Sequence, residues 1–160
     1  MQMRNSIGKR GETIFSNIIS RYTEPFGFLF DPTFMGEKFS GIDFYVGLMS
    51  YAFKKGFFLA SVKTTTLGYS ADNSRIKISL DKNELEALGK FPVPVYLFGI
   101  DENQEKGYFI SANRLDNSKN LNGIPVKYPV DAEHMKLLWM EVKGYWDKSN
   151  EITKFVSSFN

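Results

Sequence analysis

Gly41-Ile42-Asp43-Phe44-Tyr45-Val46 and Phe57-Phe58-Leu59-Ala60-Ser61-Val62-Lys63-Thr64 are two apolar runs of strand length, and each carries a charge where a strand buried on both faces should have none. A carboxylate or an ammonium on such a strand is expensive to bury unless it finds a partner or a metal. By alternation, Ile42, Phe44 and Val46 point one way and Asp43 and Tyr45 the other, while Ser61 and Lys63 share the face opposite Ala60 and Val62. The link between the runs ends in Lys54-Lys55-Gly56, a hairpin composition, so the strands read as antiparallel neighbours with Asp43 and Lys63 able to meet.

Upstream, Ile14, Phe15, Ile18, Ile19 and Tyr22 recur at helical spacing and define a first helix from Arg10 to Tyr22, stopped by Pro25 and Gly27. Glu12 projects from the core-facing side of its first turn and looks onto a sheet. Phe26 to Phe30 reads as a strand, and Asp31-Pro32 to Ser40 as a loop. Beyond Lys63, a polar loop from Thr64 to Asn73 leads to a strand from Arg75 to Leu80. A capping-box helix then opens at Asp81 and closes at Gly89. Val93 to Ile100 and Gly107 to Ser111 form a hairpin about the charged turn Asp101 to Lys106. Asn113 to Asn122 is loop, and Gly123 to Tyr128 an edge strand that tolerates Pro125. Met135, Leu138, Trp139 and Val142 stripe a helix from Asp131 to Trp146, and a short helix is expected from Glu151 to Phe159. The expected fold is α/β (α+β): a mixed central sheet with helix one across it and the second-half helices on the other face, in a single domain spanning residues 1–160.

Composition removes several function classes. With no cysteine there is no disulfide framework or thiolate metal site, and one histidine leaves no His-rich zinc site or His-based triad. The formal charge of +2 argues against a general polyanion binder without excluding a local basic groove. Met1 to Ser6 lacks an apolar signal core and no run approaches a membrane span, so a soluble cytoplasmic protein with no membrane partner is expected.

In chain order the chemistry-bearing residues are Glu12, Asp43 and Ser61-x-Lys63. One reading is that two carboxylates hold a hard cation, Mg2+ or Mn2+, while the ammonium serves a phosphodiester; magnesium needs only one or two protein carboxylates. The competing reading is a buried ion-pair network without catalysis. Glu84, Asp72 and Glu37 are the acids available to supplement the pair. Lys9, Arg10, Lys54, Lys55, Arg75 and Lys77 offer a phosphate-binding rim, with Ser61 and Thr64 beside it and Tyr69 and Tyr45 as stacking rings. His134 reads as structural, and the abundant Phe and Trp as core, with any exposed members offering a homodimer face.

The segments Gly8-Lys9-Arg10-Gly11-Glu12-Thr13-Ile14-Phe15, Ser40-Gly41-Ile42-Asp43-Phe44 and Ala60-Ser61-Val62-Lys63-Thr64 together resemble the PD-(D/E)XK, or restriction-endonuclease-like, nucleases. They are most similar to a branch of small bacterial domains with a G-x-x-x-E helix, a G-I-D strand and a Gln-x-Lys third motif. Val93 to Ile110 echoes that branch's later strand pair, and the resemblance ends near Asn113. It implies metal-dependent hydrolysis of nucleic acid, DNA foremost, with Glu12 and Asp43 as metal ligands and the Val62 carbonyl as an inner ligand. Lys63 would position water and stabilise charge. Ser61 stands where the family has Gln or an acid. The alternative implied is a catalytically inactive nuclease-fold module that binds nucleic acid or protein.

Overall fold

The structure is a computed structural model, and it describes residues 2–50, 56–113, 118–152 and 158. Helix α1 (Gln2–Ile19) is followed by a two-stranded ribbon of β1 (Tyr22–Thr23) and β2 (Gly27–Phe28), then β3 (Phe30–Phe34), β4 (Phe44–Leu48), β5 (Phe57–Thr65) and β6 (Arg75–Leu80). The chain continues through α2 (Lys82–Gly89), β7 (Val95–Asp101), β8 (Lys106–Ser111), β9 (Leu121–Pro125) and α3 (Ala132–Ile152). Five strands make the central sheet in the order β3-β4-β5-β7-β8. Only β5 and β7 run parallel, with Lys63 opposite Gly99; every other pair is antiparallel, so the sheet is mixed, as expected.

All seven residues of β7 are buried, which its unbroken apolar run demands of a strand covered on both faces. On one face Phe58, Ala60 and Val62 of β5 and Phe98 of β7 pack against Ile14, Phe15 and Ile19 of α1 and Met135, Leu138 and Val142 of α3. Phe58 is fully buried, with its ring against those of Phe30, Tyr96 and Phe98. On the other face Val95 and Leu97 meet Ile76, Ile78 and Leu80 of β6, Ile124 of β9, and Leu85 and Leu88 of α2. Gly99 lets this second layer close down, because a Cβ there would sit 2.7 Å from Ile124 and 2.9 Å from Ile78.

Several expectations from the sequence shift. The second-half helices divide between the faces: α2 covers the face away from α1, but α3 joins α1, because its Met135-Leu138-Val142 stripe completes the cluster around Phe15 and Phe58. The segment expected as loop from Asp31 is strand β3, tolerated because an edge strand needs ladder bonds on one side only and so accommodates Pro32. β4 begins at Phe44, and Ile42 falls in the second core while Phe44 and Val46 fall in the first, so strict alternation fails just where Asp43 sits. Helix one starts at Gln2, which places Glu12 well inside it instead of on its first turn. β9 ends at Pro125 and pairs with β6 in the second layer. The Lys54-Lys55 turn and most of the proposed C-terminal helix lie outside the described residues, and α3 itself continues to Ile152. Among the described residues no helix is long and apolar enough to cross a membrane.

Candidate functional site

β5 runs past the start of β4, and that overhang makes the site. Phe44 is the first residue of β4 in register with β5, opposite Ala60; one residue earlier, Asp43 N–H still donates to Ala60 O at 2.9 Å. Past that point, among the described residues, the edge of β5 has no strand beside it, and the Asp43 carboxylate turns in to accept the Val62 N–H through Oδ2 at 2.6 Å. In a strand a residue's N–H and C=O leave on the same edge, so the Val62 carbonyl lies on the Asp43 side as well. The side-chain bond replaces the missing ladder partner and fixes the carboxylate at the strand's open edge.

Glu12 reaches the same place from above. α1 crosses β5 at Gly11, where a Cβ would lie 1.6 Å from Thr64 Oγ1 and 2.7 Å from Thr64 Cβ, so only glycine permits this approach. The next residue, Glu12, then stands half-buried over the end of the strand. Glu12 titrates above the ordinary glutamate value because of burial, then the nearby Asp43 charge, opposed by Lys9. Asp43 is likewise raised by burial, opposed by the Val62 N–H and then by Lys63. Burial raises both carboxyls, the Asp43 charge raises Glu12 further, and the neighbouring cations do not cancel the cost, so the site gains from an added positive charge.

Lys63 leaves β5 on the α2 face, and its Nζ lies 3.4 Å from Glu84 Oε1. Glu84 is held by its backbone: Asp81 caps α2 by accepting from the N–H groups of Asn83 and Glu84 at 2.8 and 3.0 Å, which leaves the Glu84 side chain free to reach the sheet. Two cavities meet at Val62, Lys63 and Glu84. One, of about 760 Å³, is bounded by Glu12, Thr64, Thr66, Lys77 and Ser79; the other, of about 440 Å³, by Gly41, Asp43, Ser61 and Leu88. Together they form an open cleft whose walls are α1 on one side and β6 with α2 on the other.

Thus Glu12, Asp43, Val62, Lys63, Ser61 and Thr64 come together. Ser61 is almost fully buried in the cleft floor. Lys9 acts on Glu12 from the rim. Other candidates stand apart. Arg10 pairs with Glu102 at 3.1 Å and borders neither cavity. Tyr69 packs edge-on to Tyr108 with their hydroxyls 3.2 Å apart; burial, Tyr108 and Asp101 raise its pKa, and it borders neither cavity. Tyr45 stacks on Phe57, Arg75 Nη1 donates to Gly123 O, and His134 pairs with Asp131 beside the start of α3. Among the three supplementary acids Glu84 is the one the fold delivers, and Lys77 and Ser79 join it. Among the described residues no group of three or more carboxylate or imidazole side chains is arranged to hold a metal ion. No protein-family model, curated protein or solved structure matches the chain.

Proposed function

We propose that the chain is a restriction-endonuclease-like domain that hydrolyses phosphodiesters of nucleic acid, DNA foremost, with a divalent cation. The observation that supports this reading is the meeting of Glu12, Asp43 and Lys63 around the open end of β5 in one solvent-reaching cleft, from three elements distant in sequence. The donor chemistry fits Mg2+ or Mn2+: two carboxylates destabilised by burial, Glu12 also by the charge of Asp43, with the Val62 carbonyl on the Asp43 edge of the strand, are hard oxygen donors. Glu12, Asp43 and Val62 would hold the ion, which supplies Lewis-acid charge beside the scissile phosphate. Lys63 neutralises charge developing on the phosphate and orients a water, and Glu84 keeps the ammonium over the cleft. Lys77, Thr64, Thr66 and Ser79 offer a cation and hydroxyls to flanking phosphates.

The burial of Ser61 at the third motif position, with its hydroxyl in place of an acid or amide, favours a second reading: a nuclease-fold module that binds nucleic acid or protein without cutting. Metal titration tests the site itself. Mn2+ should give a saturable heat and raise the melting temperature of the wild type, and both responses should vanish in Asp43→Ala. Absence of heat and of a melting shift at millimolar metal overturns the ion site and leaves the carboxylates structural.

A further inference from the structure

Strand β8 is an edge of the five-stranded sheet, and its outer side is only half covered. The Phe109 N–H donates to Tyr128 O at 3.0 Å and the Val130 N–H to Gly107 O at 2.8 Å, and among the described residues the outer ladder stops there. The alternation that turns Gly107 and Phe109 outward turns Ser111 outward too. Among the described residues no hydrogen bond reaches the Phe109 carbonyl or the backbone N–H and carbonyl of Ser111. An open edge of this kind is a template for another strand.

The open stretch lies at the junction of two cavities, of about 570 and 540 Å³, between β8 and α3; both are bordered by Tyr96, Ser111 and Glu141. One continues to Met140 and Tyr145, the other to Tyr128 and Leu137, and all four of those side chains are exposed. At the junction the Glu141 carboxylate accepts the hydroxyl of the buried Tyr96, and among the described residues no cation pairs with it. The groove therefore offers unpaired strand groups, a mainly apolar well on the Tyr128–Leu137 side with His134 at its border, a mixed well on the Met140–Tyr145 side with Asn113 and Lys148 at its border, and the Glu141 carboxylate between the two wells.

We propose that this groove binds an extended peptide that adds to β8 as a further strand and sets a basic side chain on Glu141. The open backbone groups call for an extended chain, and the wells accept its alternate side chains. The carboxylate selects lysine or arginine and rejects an acidic residue. A second copy of the chain fits less well, because a two-fold pairing of β8 with β8 brings two Glu141 carboxylates toward the same seam. The inference is independent of the metal cleft, which lies at the end of β5.

The test uses the whole chain and two fluorescent peptides, one alternating valine with arginine and one alternating valine with glutamate, followed by anisotropy. The arginine peptide should bind saturably and at least tenfold more tightly than the glutamate peptide. Glu141→Gln, which keeps an acceptor for Tyr96, should erase that preference, and N-methylation of alternate peptide amides should abolish binding to the wild type. Ser111→Pro should abolish it as well; should that variant not fold, the methylated peptide measures the same backbone pairing. No saturable binding of the arginine peptide, or equal binding of the glutamate peptide, overturns the proposal. So does sedimentation showing a wild-type dimer that Glu141→Lys disrupts, which assigns the edge to a second copy.

Discussion

Replacing Gly11 with alanine probes the contact that brings Glu12 to the cleft. A Cβ at this position lies 1.6 Å from Thr64 Oγ1, 2.7 Å from its Cβ and 2.8 Å from its Cγ2, where ordinary contact begins at 3.4 Å. Helix and strand must separate, or Thr64 must rotate, to recover nearly 2 Å. Thr64 is β-branched and stiff, and a rotation still leaves its Cβ too close. Overpacking of this kind costs about 1–3 kcal/mol, against about 1 kcal/mol gained from the better helix propensity of alanine. The net loss of up to about 2 kcal/mol lowers the melting temperature by up to about 8 °C in a chain of this size. Thr64→Ala in the same background removes the two γ atoms but leaves the 2.7 Å contact, so it should restore part of the loss and no more. Differential scanning calorimetry of the wild type, the single variants and the double variant gives the coupling directly. Metal affinity should fall along with stability, since a displaced helix carries Glu12 away from Asp43. A Gly11→Ala chain that melts as high as the wild type, with additive single effects, would refute the close crossing and the placement of Glu12 that depends on it.

Asp43→Asn keeps an acceptor for the Val62 N–H and removes a charge whose burial is unfavourable. Because the folded pKa values of Asp43 and Glu12 are raised, their contribution to stability is present at acid pH and is lost as pH rises through the folded values. The variant should therefore melt at least as high as the wild type at pH 7, with its advantage shrinking toward pH 4, while losing metal binding; a variant less stable than the wild type at pH 7 and equal at pH 4 would reverse the sign. Glu84→Gln breaks an ion pair whose partners are both substantially exposed, a contact worth about 0–1 kcal/mol, so melting should move by no more than about 4 °C. Metal-free binding of a DNA duplex at low salt should tighten because one carboxylate leaves the cleft, and unchanged or weaker binding would place the phosphates elsewhere.

The strands that carry Asp43 and Lys63 are legible because their apolar runs are bounded by turn residues, and the antiparallel pairing of β4 with β5 is legible from their proximity in the chain. The mixed sheet follows from the alternation of strands with a short capped helix before Val95. What the sequence hides is long-range. Nothing local distinguishes α3 packing beside α1 from packing opposite it, because its apolar stripe fits either face. The chain kink that sends Ile42 into one core and Phe44 into the other breaks the period-two rule at Asp43, and the rule reads only regular strand. The Asp43–Val62 bond joins a side chain to a backbone N–H across 19 residues, for which composition holds no signal. Glu84 is visible as a helix-start acid, but its approach to Lys63 depends on how α2 docks over β5. Tyr69 reads from the sequence as an aromatic in a polar loop, and its edge contact with Tyr108, 39 residues away, has no local signal.

If the cleft at the end of β5 is the proposed metal-dependent phosphodiesterase site lacking a third acid, Ser61 is where the missing acid can be restored. Ser61 lies in the cavity that Asp43, Lys63 and Glu84 border, so Ser61→Glu places a carboxylate beside the proposed ion. Strand scission of duplex and single-stranded DNA in Mn2+ should be measured for the wild type, Ser61→Glu, and Ser61→Glu with Lys63→Ala, each shown to be folded. Scission should rise in Ser61→Glu and disappear when Lys63 is removed from that background; three folded chains that all leave both substrates intact would rule out a phosphodiesterase site in this cleft.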